Sequence, residues 1–315
     1  MEVLTELAEL PGPTAPGSVV SIGVFDGMHL GHRAILAANL ARAQELGAVA
    51  TVVTFRRHPK EVLLGRGPRT LTTLEHRLEL FRRAGIGRTL ALSFDEELRN
   101  TTPEEFVQRI CVEGLGARAF VLGFDSKFGR NRAGDADLVR RLGLDVQVVP
   151  KVVVGERAVS STAIREAVEL GDIEGAARML GRPVSSYGQV VEGARIGHKL
   201  GFPTANLDLH HELHPPPGVY AARARIIEAS SVLAVRSAHD AVVNIGFRPT
   251  IDGERPEFPL VEVHLLDFDG DLYGQLLEVE FVARIRPERR FDGLDALAEQ
   301  IAKDIATSRG LLEQR

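Results

Sequence analysis

The sequence predicts two domains of different class: an α/β domain with a parallel sheet, then an all-β domain closed by a helix. Three observations carry this. The chain has 315 residues, beyond the ~250–300 at which a single core stops growing. Residues 18 to about 150 alternate apolar β-rich runs with helical segments, the pattern of a parallel sheet covered on both faces. From about residue 184 the period becomes alternating, with Gly and Pro in the turns, as in an antiparallel sheet or small barrel. The boundary is expected near Pro183, giving domains 1–183 and 184–315.

The elements follow in order. Val19–Phe25 is the first apolar run. His32–Leu46 carries Ile35, Leu36, Leu40, Ala43 and Leu46 near helical spacing, with Gly47 placed as a C-cap. Ala48–Phe55 is a second strand. Thr72 and Glu75 read as a capping box ahead of Leu74, Leu78 and Phe81, with Gly85 closing the helix. Thr89–Phe94 is a third strand, and Thr102-Pro103 with Glu105 starts a helix that faces Phe106 and Ile110 inward. Ala119–Leu122 and Leu144–Val149 complete the sheet. Two short helices, ended by Gly171 and Gly181, fill 160–181. Further on, Ala222, Ala224 and Ile226 alternate with Arg223 and Arg225, and Val261, Val263 and Leu265 alternate with Glu262 and His264. Leu277 through Ile285 alternates likewise, and His210-His211 with His214-Pro217 reads as a loop. A terminal helix over about 293–309 is expected to bury Leu294, Leu297, Ile301 and Ile305.

Composition narrows the class. Lys and Arg total 38 against 43 Asp and Glu, a net charge of −5, which argues against bulk electrostatic binding to nucleic acid. No run reaches the ~18 apolar residues of a membrane span. Glu2, Glu6 and Glu9 stand where a secretory signal needs basic and then apolar residues. The single cysteine, Cys111, excludes an internal disulfide framework and a multi-cysteine zinc site, and it reads as core beside Phe106 and Ile110. A cytoplasmic protein, a monomer or weak homo-oligomer with no membrane or nucleic-acid partner, is expected.

Four motifs carry chemistry. Ligands on parallel sheets bind at the carboxyl ends of the strands. There, Gly23-Val-Phe-Asp-Gly-Met-His-Leu-Gly-His32 follows the first strand and opens the first helix. Glycines let backbone approach a ligand, and a helix N-terminus attracts phosphate. His29 and His32, three apart, can face one phosphoryl group and stabilise its charge. Gly123-Phe-Asp-Ser-Lys-Phe-Gly-Arg-Asn-Arg132 puts Lys127, Arg130 and Arg132 after another strand, as a polyphosphate clamp or a solvated basic loop. Ser160-Ser-Thr-Ala-Ile-Arg165 reads either as a phosphate site or as a plain N-cap with a surface arginine. In the second half, Gly197-His-Lys-Leu-Gly-Phe-Pro-Thr-Ala-Asn206 offers the neutral oxygens of Thr204 and Asn206 two residues apart. These suit Mg²⁺ that takes its negative oxygens from a nucleotide. Glu262 either accepts a hydroxyl proton in a pocket or simply faces solvent.

These residues, in this order, resemble the prokaryotic bifunctional riboflavin kinase/FAD synthetase family over nearly the whole chain. The first half is similar through 23–32, Thr54-Phe55 with His58-Pro59, Gly123 to Gly134, and 160–165. The second half is similar through Leu200–Asn206, Pro217–Tyr220, Asn244–Thr250, Val261–Asp267 and Asp271–Gly274. The resemblance implies a Rossmann-like HxGH nucleotidyltransferase domain followed by a Greek-key β-barrel kinase domain with a C-terminal helix. It implies two reactions: riboflavin plus ATP to FMN, and FMN plus ATP to FAD and pyrophosphate, both with Mg²⁺. It implies Glu262 as the kinase base, and His29, His32 and Arg165 as the residues that act on the adenylyl group. Gly23, Phe25, Asp26, Gly27, Gly31, Arg132, Ser160, Ser161, Thr162, Gly197, Lys199, Thr204 and Asn206 match nucleotide-binding positions, with Thr204 and Asn206 also on the metal. His58, Asp125 and Asn244 match flavin-binding positions. The chain departs from the family pattern at Arg57 (usually Pro), Ser126 (usually Phe) and His198 (usually Arg). The first two motivate a second reading, with kinase activity alone.

Overall fold

A computed structural model describes residues 1–13, 16–58, 62, 67–192, 200–209, 212–227, 238–247 and 259–314. The chain forms two compact units, Met1–Ser161 and Thr162–Arg315.

The first unit is built on β1 (Glu2–Leu4), β2 (Ser18–Ile22), β3 (Val49–Phe55), β4 (Arg88–Leu92), β5 (Ala117–Gly123) and β6 (Asp145–Val149). They form one parallel sheet in the order β1-β4-β3-β2-β5-β6. Successive residues feed opposite faces, as strand geometry requires. Val20, Ile22, Val53, Phe120 and Leu122 join one core, and Val19, Val52, Ala119 and Val121 the other. The helix Leu30–Leu46 adds Leu36 and Ala43 to the second core, and Phe106–Gly114 adds Phe106, Ile110 and Cys111 to the first. Burial pushes the Cys111 thiol far up, which leaves it inert as a nucleophile.

The strand order reverses at β2, which has β3 on one side and β5 on the other. The loops after β2 and β5 therefore open onto one crevice. Asn39 reinforces this point from the helix. Its Nδ2 donates to the Val19 carbonyl at 3.0 Å and to Ser21 Oγ at 2.8 Å, and Ser21 Oγ donates to the Val121 carbonyl at 2.8 Å.

Several elements differ from expectation. The three-residue β1 at the sheet edge, the helix Glu96–Asn100, and the hairpin of β7 (Val153–Val154) and β8 (Arg157–Ala158) are too short to leave a periodic signal. The helix Leu74–Arg83 starts one residue later than expected: Thr73, not Thr72, caps it by accepting from the His76 N–H at 3.3 Å. Thr72 is used elsewhere, as described below. The Thr102–Glu105 capping box forms in both directions.

The second unit opens with helices Ser161–Glu169 and Ile173–Leu180, then β9 (Val184–Val191), β10 (Ala205–Asp208), β11 (Gly218–Ile227), β12 (His239–Gly246), β13 (Leu260–Leu265) and β14 (Leu276–Arg286). The strands close an antiparallel barrel in the order β10-β13-β12-β11-β14-β9. β14 returns beside β11 after the β11-β12-β13 meander, a Greek key. The Ile173–Leu180 helix packs on β9 and β14, so the compact unit begins before Pro183. The terminal helix is Leu294–Glu313. Leu294, expected inward, is exposed, whereas Asp304, Ser308 and Leu312 are buried. The barrel supplies polar partners that decide the helix face. Arg286 grips Asp304 through Nε at 3.0 Å and Nη2 at 2.8 Å, and Ser308 Oγ donates to the Ala241 carbonyl at 3.1 Å.

Candidate active sites

The loop from β2 into the first long helix is held in a strained shape. Phe25 and Met28 have φ of 54° and 46°, and Gly27 has 81°. A left-handed non-glycine residue costs roughly 1–2 kcal/mol, so such turns persist only where neighbours over-determine them. Asp26 Oδ1 accepts from the Leu71 N–H at 2.9 Å, the Thr72 N–H at 3.0 Å and Thr72 Oγ1 at 3.2 Å. Thr72 Oγ1 in turn accepts from the Gly27 N–H at 2.9 Å. Ser161 Oγ donates to the Asp26 carbonyl at 2.9 Å. Asp26, a nucleotide-binding position by resemblance, thus uses Oδ1 to latch its own loop.

The latch presents the two histidines. His29 is the N-cap of Leu30–Leu46, and its Nδ1 accepts from the His32 N–H at 3.3 Å. When neutral, His29 therefore carries its proton on Nε2, free to donate. The rings stack at 3.6 Å with 15° between planes. Gly31 leaves the His29 ring its place, since a Cβ would press it at 3.2 Å. A Cβ at Gly23 would likewise press the Phe25 ring at 3.1 Å. The Phe25 ring sits between Phe81 at 5.6 Å and His32 at 5.1 Å. Burial pulls the His29 imidazole down to about 4, against the raising effect of Asp26 and Asp125. Burial, and then His29 and Arg77, hold His32 well below its ordinary value. Both rings are neutral near pH 7 and act as hydrogen-bonding groups rather than cations.

The loop after β5 is shaped by its own side chains. Ser126 Oγ accepts from the Gly123 N–H at 2.9 Å, which gives the departure from Phe at this position a structural task. Phe128 and Gly134 exchange backbone hydrogen bonds at 3.1 and 2.9 Å, and the Phe128 ring packs on Phe106. Lys127 ion-pairs with Asp135 across the loop at 2.8 Å. Arg130 and Arg132 are exposed, as is Asp125. His58 is half-buried at the end of the segment after β3. Ser160 and Thr162 flank Ser161, and Arg165 lies one turn along the Ser161–Glu169 helix in the second unit.

In the barrel, strand register builds the site. β10 and β13 set Asn206 opposite Glu262, and β12 and β13 set Asn244 opposite Glu262. Opposed residues share a face, so the three stand in a row, away from the interior residues Ala205, Leu207, Val243, Ile245, Val261 and Val263. Asn244 Nδ2 donates to Glu262 Oε2 at 3.3 Å. Asn206 is 5% exposed, and among the described residues its Oδ1 has no hydrogen-bond partner. An orphaned buried acceptor costs about 1–3 kcal/mol, so this oxygen is set for a donor or a hard cation. Thr204 enters β10 two residues earlier, half-buried. His264 Nδ1 donates to the Pro203 carbonyl at 2.7 Å and so pins the approach to Thr204. Gly197, His198, Lys199, Pro59 and Thr250 lie outside the described residues. Among the described residues, no three His, Cys, Asp or Glu side chains group as a metal site, so a cation here would rest on neutral oxygens and on its substrate.

Sequence reasoning missed Thr72 as part of the loop latch, Asn39, His264 and Arg77. Each acts through a partner far away in the chain, which local spacing does not reveal.

Residues 13–163 match the FAD synthetase family, and residues 180–312 match the riboflavin kinase family. The chain is 40% identical over 309 residues to the bifunctional riboflavin kinase/FMN adenylyltransferase of Pseudomonas fluorescens, covering 95% of this chain and 94% of the relative. It is 33% identical over 314 residues to the protein of the same description from Escherichia coli K12, covering 98% and 97%. A solved Streptococcus pneumoniae structure, described as a macrolide-efflux protein, superposes with a TM-score of 0.81 at 29% identity, covering 98% of this chain and 99% of its own. No described helix of the present chain is long and apolar enough to cross a membrane.

Proposed function

The chain belongs to the bifunctional riboflavin kinase/FMN adenylyltransferase family, and from that premise we propose which side chains carry each of its two reactions. It is an enzyme of flavin cofactor biosynthesis: it phosphorylates riboflavin with ATP to FMN, and adenylylates FMN with ATP to FAD. We assign FMN adenylylation to residues 1–183 and phosphorylation to 184–315, in line with the two family matches.

In the kinase half, the 5′-hydroxyl oxygen of riboflavin attacks the γ-phosphorus of ATP, and the bond from that phosphorus to ADP breaks. Glu262 takes the hydroxyl proton. Asn244, hydrogen-bonded to Glu262, holds that carboxylate and meets the flavin side. Asn206 and Thr204 would hold Mg²⁺, which would supply neutralisation of phosphate charge, and Gly197 and Lys199 join the nucleotide. The observation that carries this assignment is the cross-strand row Asn206–Glu262–Asn244, with an orphaned oxygen at one end and a positioned carboxylate at its centre.

In the other half, a phosphate oxygen of FMN attacks the α-phosphorus of ATP, and pyrophosphate leaves. A phosphate monoester is already nucleophilic, so the site supplies alignment and charge stabilisation rather than a base. The Nε2–H of His29 donates to the phosphoryl oxygens, with His32 beside it. Arg132 brings positive charge, and Gly23, Phe25, Gly27, Gly31, Ser160 and Ser161 shape the nucleotide loop around the latched Asp26; Thr162 and Arg165 are assigned to the nucleotide by the family resemblance. His58 and Asp125 meet the flavin. We place the enzyme in the cytoplasm, as a monomer or weak homo-oligomer acting on small molecules alone.

The test is chromatography of the products from riboflavin and ATP, with and without Mg²⁺. FMN and then FAD are expected with Mg²⁺ and neither without it. FMN that never proceeds to FAD, even when FMN is supplied, would leave the first half with another task and favour the kinase-only reading drawn from Arg57 and Ser126.

A further inference from the structure

Arg77 lies in the helix Leu74–Arg83 and is 3% exposed. Its guanidinium reaches the carboxyl ends of two adjacent strands. Nη1 donates to the Val24 carbonyl at 2.5 Å and to Thr54 Oγ1 at 3.1 Å, and Nη2 donates to the Phe55 carbonyl at 2.9 Å. Thr54 Oγ1 also donates to the Val24 carbonyl at 3.1 Å. Burial disfavours the charged guanidinium, and the nearby carboxylates of Asp26 and Glu75 act against that. Its hydrogen bonds all run to backbone carbonyls and Thr54 Oγ1 rather than to a carboxylate, so the group is spent on holding these segments in place.

Its placement ties it to the histidine loop. Val24 immediately precedes Phe25, the left-handed residue whose ring supports His32. The same segment, 71–77, therefore holds the loop twice: Leu71 and Thr72 latch Asp26, and Arg77 fixes Val24. We propose that Arg77 is a positioning residue for adenylyl transfer, fixing the Val24–Phe25 turn and with it the His29–His32 pair. This rests on the assignment of adenylyl transfer to the histidine pair.

The charge of Arg77 also acts on the pair, with a definite sign. The groups that act on the pair are Arg77 and the partner ring on His32, and Asp26 and Asp125 on His29. The two carboxylates favour protonation and Arg77 opposes it. Removing the guanidinium charge makes His32 easier to protonate, so the acid limb of FAD formation moves to higher pH. A merely structural role would not move that limb.

The experiment uses the full chain, with riboflavin phosphorylation in the barrel as an internal control. Arg77→Met is expected to lower kcat for FAD formation from supplied FMN by ten- to a hundred-fold, with KM for ATP changed less than threefold. Its acid limb shifts upward by at least half a pH unit, while FMN formation is unchanged. Arg77→Lys keeps the charge without the two-strand fork; it is expected to restore the acid limb and only part of kcat. If Arg77→Met should unfold the first unit, Arg77→Lys still decides the matter: kcat below wild type with an unmoved limb supports the proposal. An unchanged kcat in either variant overturns it, as does a loss in Arg77→Lys that merely tracks thermal unfolding and vanishes on cooling. His32→Ala, run alongside, separates the two failures. If His32→Ala makes FAD normally, the histidine assignment falls; if it does not while Arg77→Met does, only the role of Arg77 falls.

Discussion

The two candidate sites are made by different means. In the first unit the histidines stand on a strained loop, and contacts some forty to fifty residues away in the chain keep it there: Asp26 with Leu71 and Thr72, and Val24 with Arg77. In the barrel, Asn206, Glu262 and Asn244 stand on regular strands, aligned by backbone register and by the Asn244–Glu262 hydrogen bond. A site on a strained loop is sensitive to its distant clasps, whereas a site on strands is sensitive mainly to its own side chains. On the proposed assignment the first depends on desolvated neutral rings and the second on a carboxylate that takes a proton, so their pH behaviour should differ as well.

The largest expected effect breaks the barrel site. Glu262→Gln keeps the shape and removes the proton acceptor, so FMN formation should fall by about 10²–10⁴-fold, measured with riboflavin and ATP at saturation. Next, His29→Ala or His32→Ala should lower FAD formation by roughly 10²–10³-fold, the usual effect of removing one charge-stabilising donor, with phosphorylation of riboflavin retained. A parallel fall in both activities of a folded variant would erase the contrast between the sites.

A third expectation concerns pH. His29 has a folded value of about 4 against an ordinary 6.5. The unfolded chain therefore binds its proton first as pH falls, and stability contributed by the neutral ring is lost between about 6.5 and 4. The shift corresponds to about 3 kcal/mol, read by denaturant unfolding of wild type and His29→Gln across that range. Wild type should lose more than the variant; identical slopes would mean that the ring is not held neutral. The smallest effect sharpens the role of the clasp. Thr72→Val removes the hydroxyl between Asp26 and Gly27 and should cost about 1 kcal/mol of stability, a typical net hydrogen bond. It should also lower FAD formation severalfold and leave FMN formation alone.

How much was legible in the sequence follows the same division. Parallel sheet and barrel were readable because burial on two faces or one leaves different periods, as in Val19–Ile22 against Val261–Leu265. The candidate site residues that form local patterns, His29 with His32 and Thr204 with Asn206, stand out in the sequence because each pair is only two or three residues apart. The pairing of Glu262 with Asn206 and Asn244 does not, because register is a relation between strands far apart in the chain. Thr72 was misread as a helix cap, since a threonine ahead of a helix fits that pattern equally well, and Thr73 beside it does the capping. On the terminal helix, Ile305 packs inward as its spacing suggests, but Leu294 is exposed; that Asp304 and Ser308 are buried on partners from β14 and β12 is something apolar spacing along one helix does not anticipate.

The central claim is that each half carries one reaction with its own residues. The most direct measurement gives Glu262→Gln two substrates in separate assays with ATP and Mg²⁺: riboflavin, and FMN. FAD should form from FMN at the wild-type rate, while riboflavin yields neither FMN nor FAD on the same timescale. Loss of both reactions in a folded protein, or normal FMN formation from riboflavin, would contradict the account.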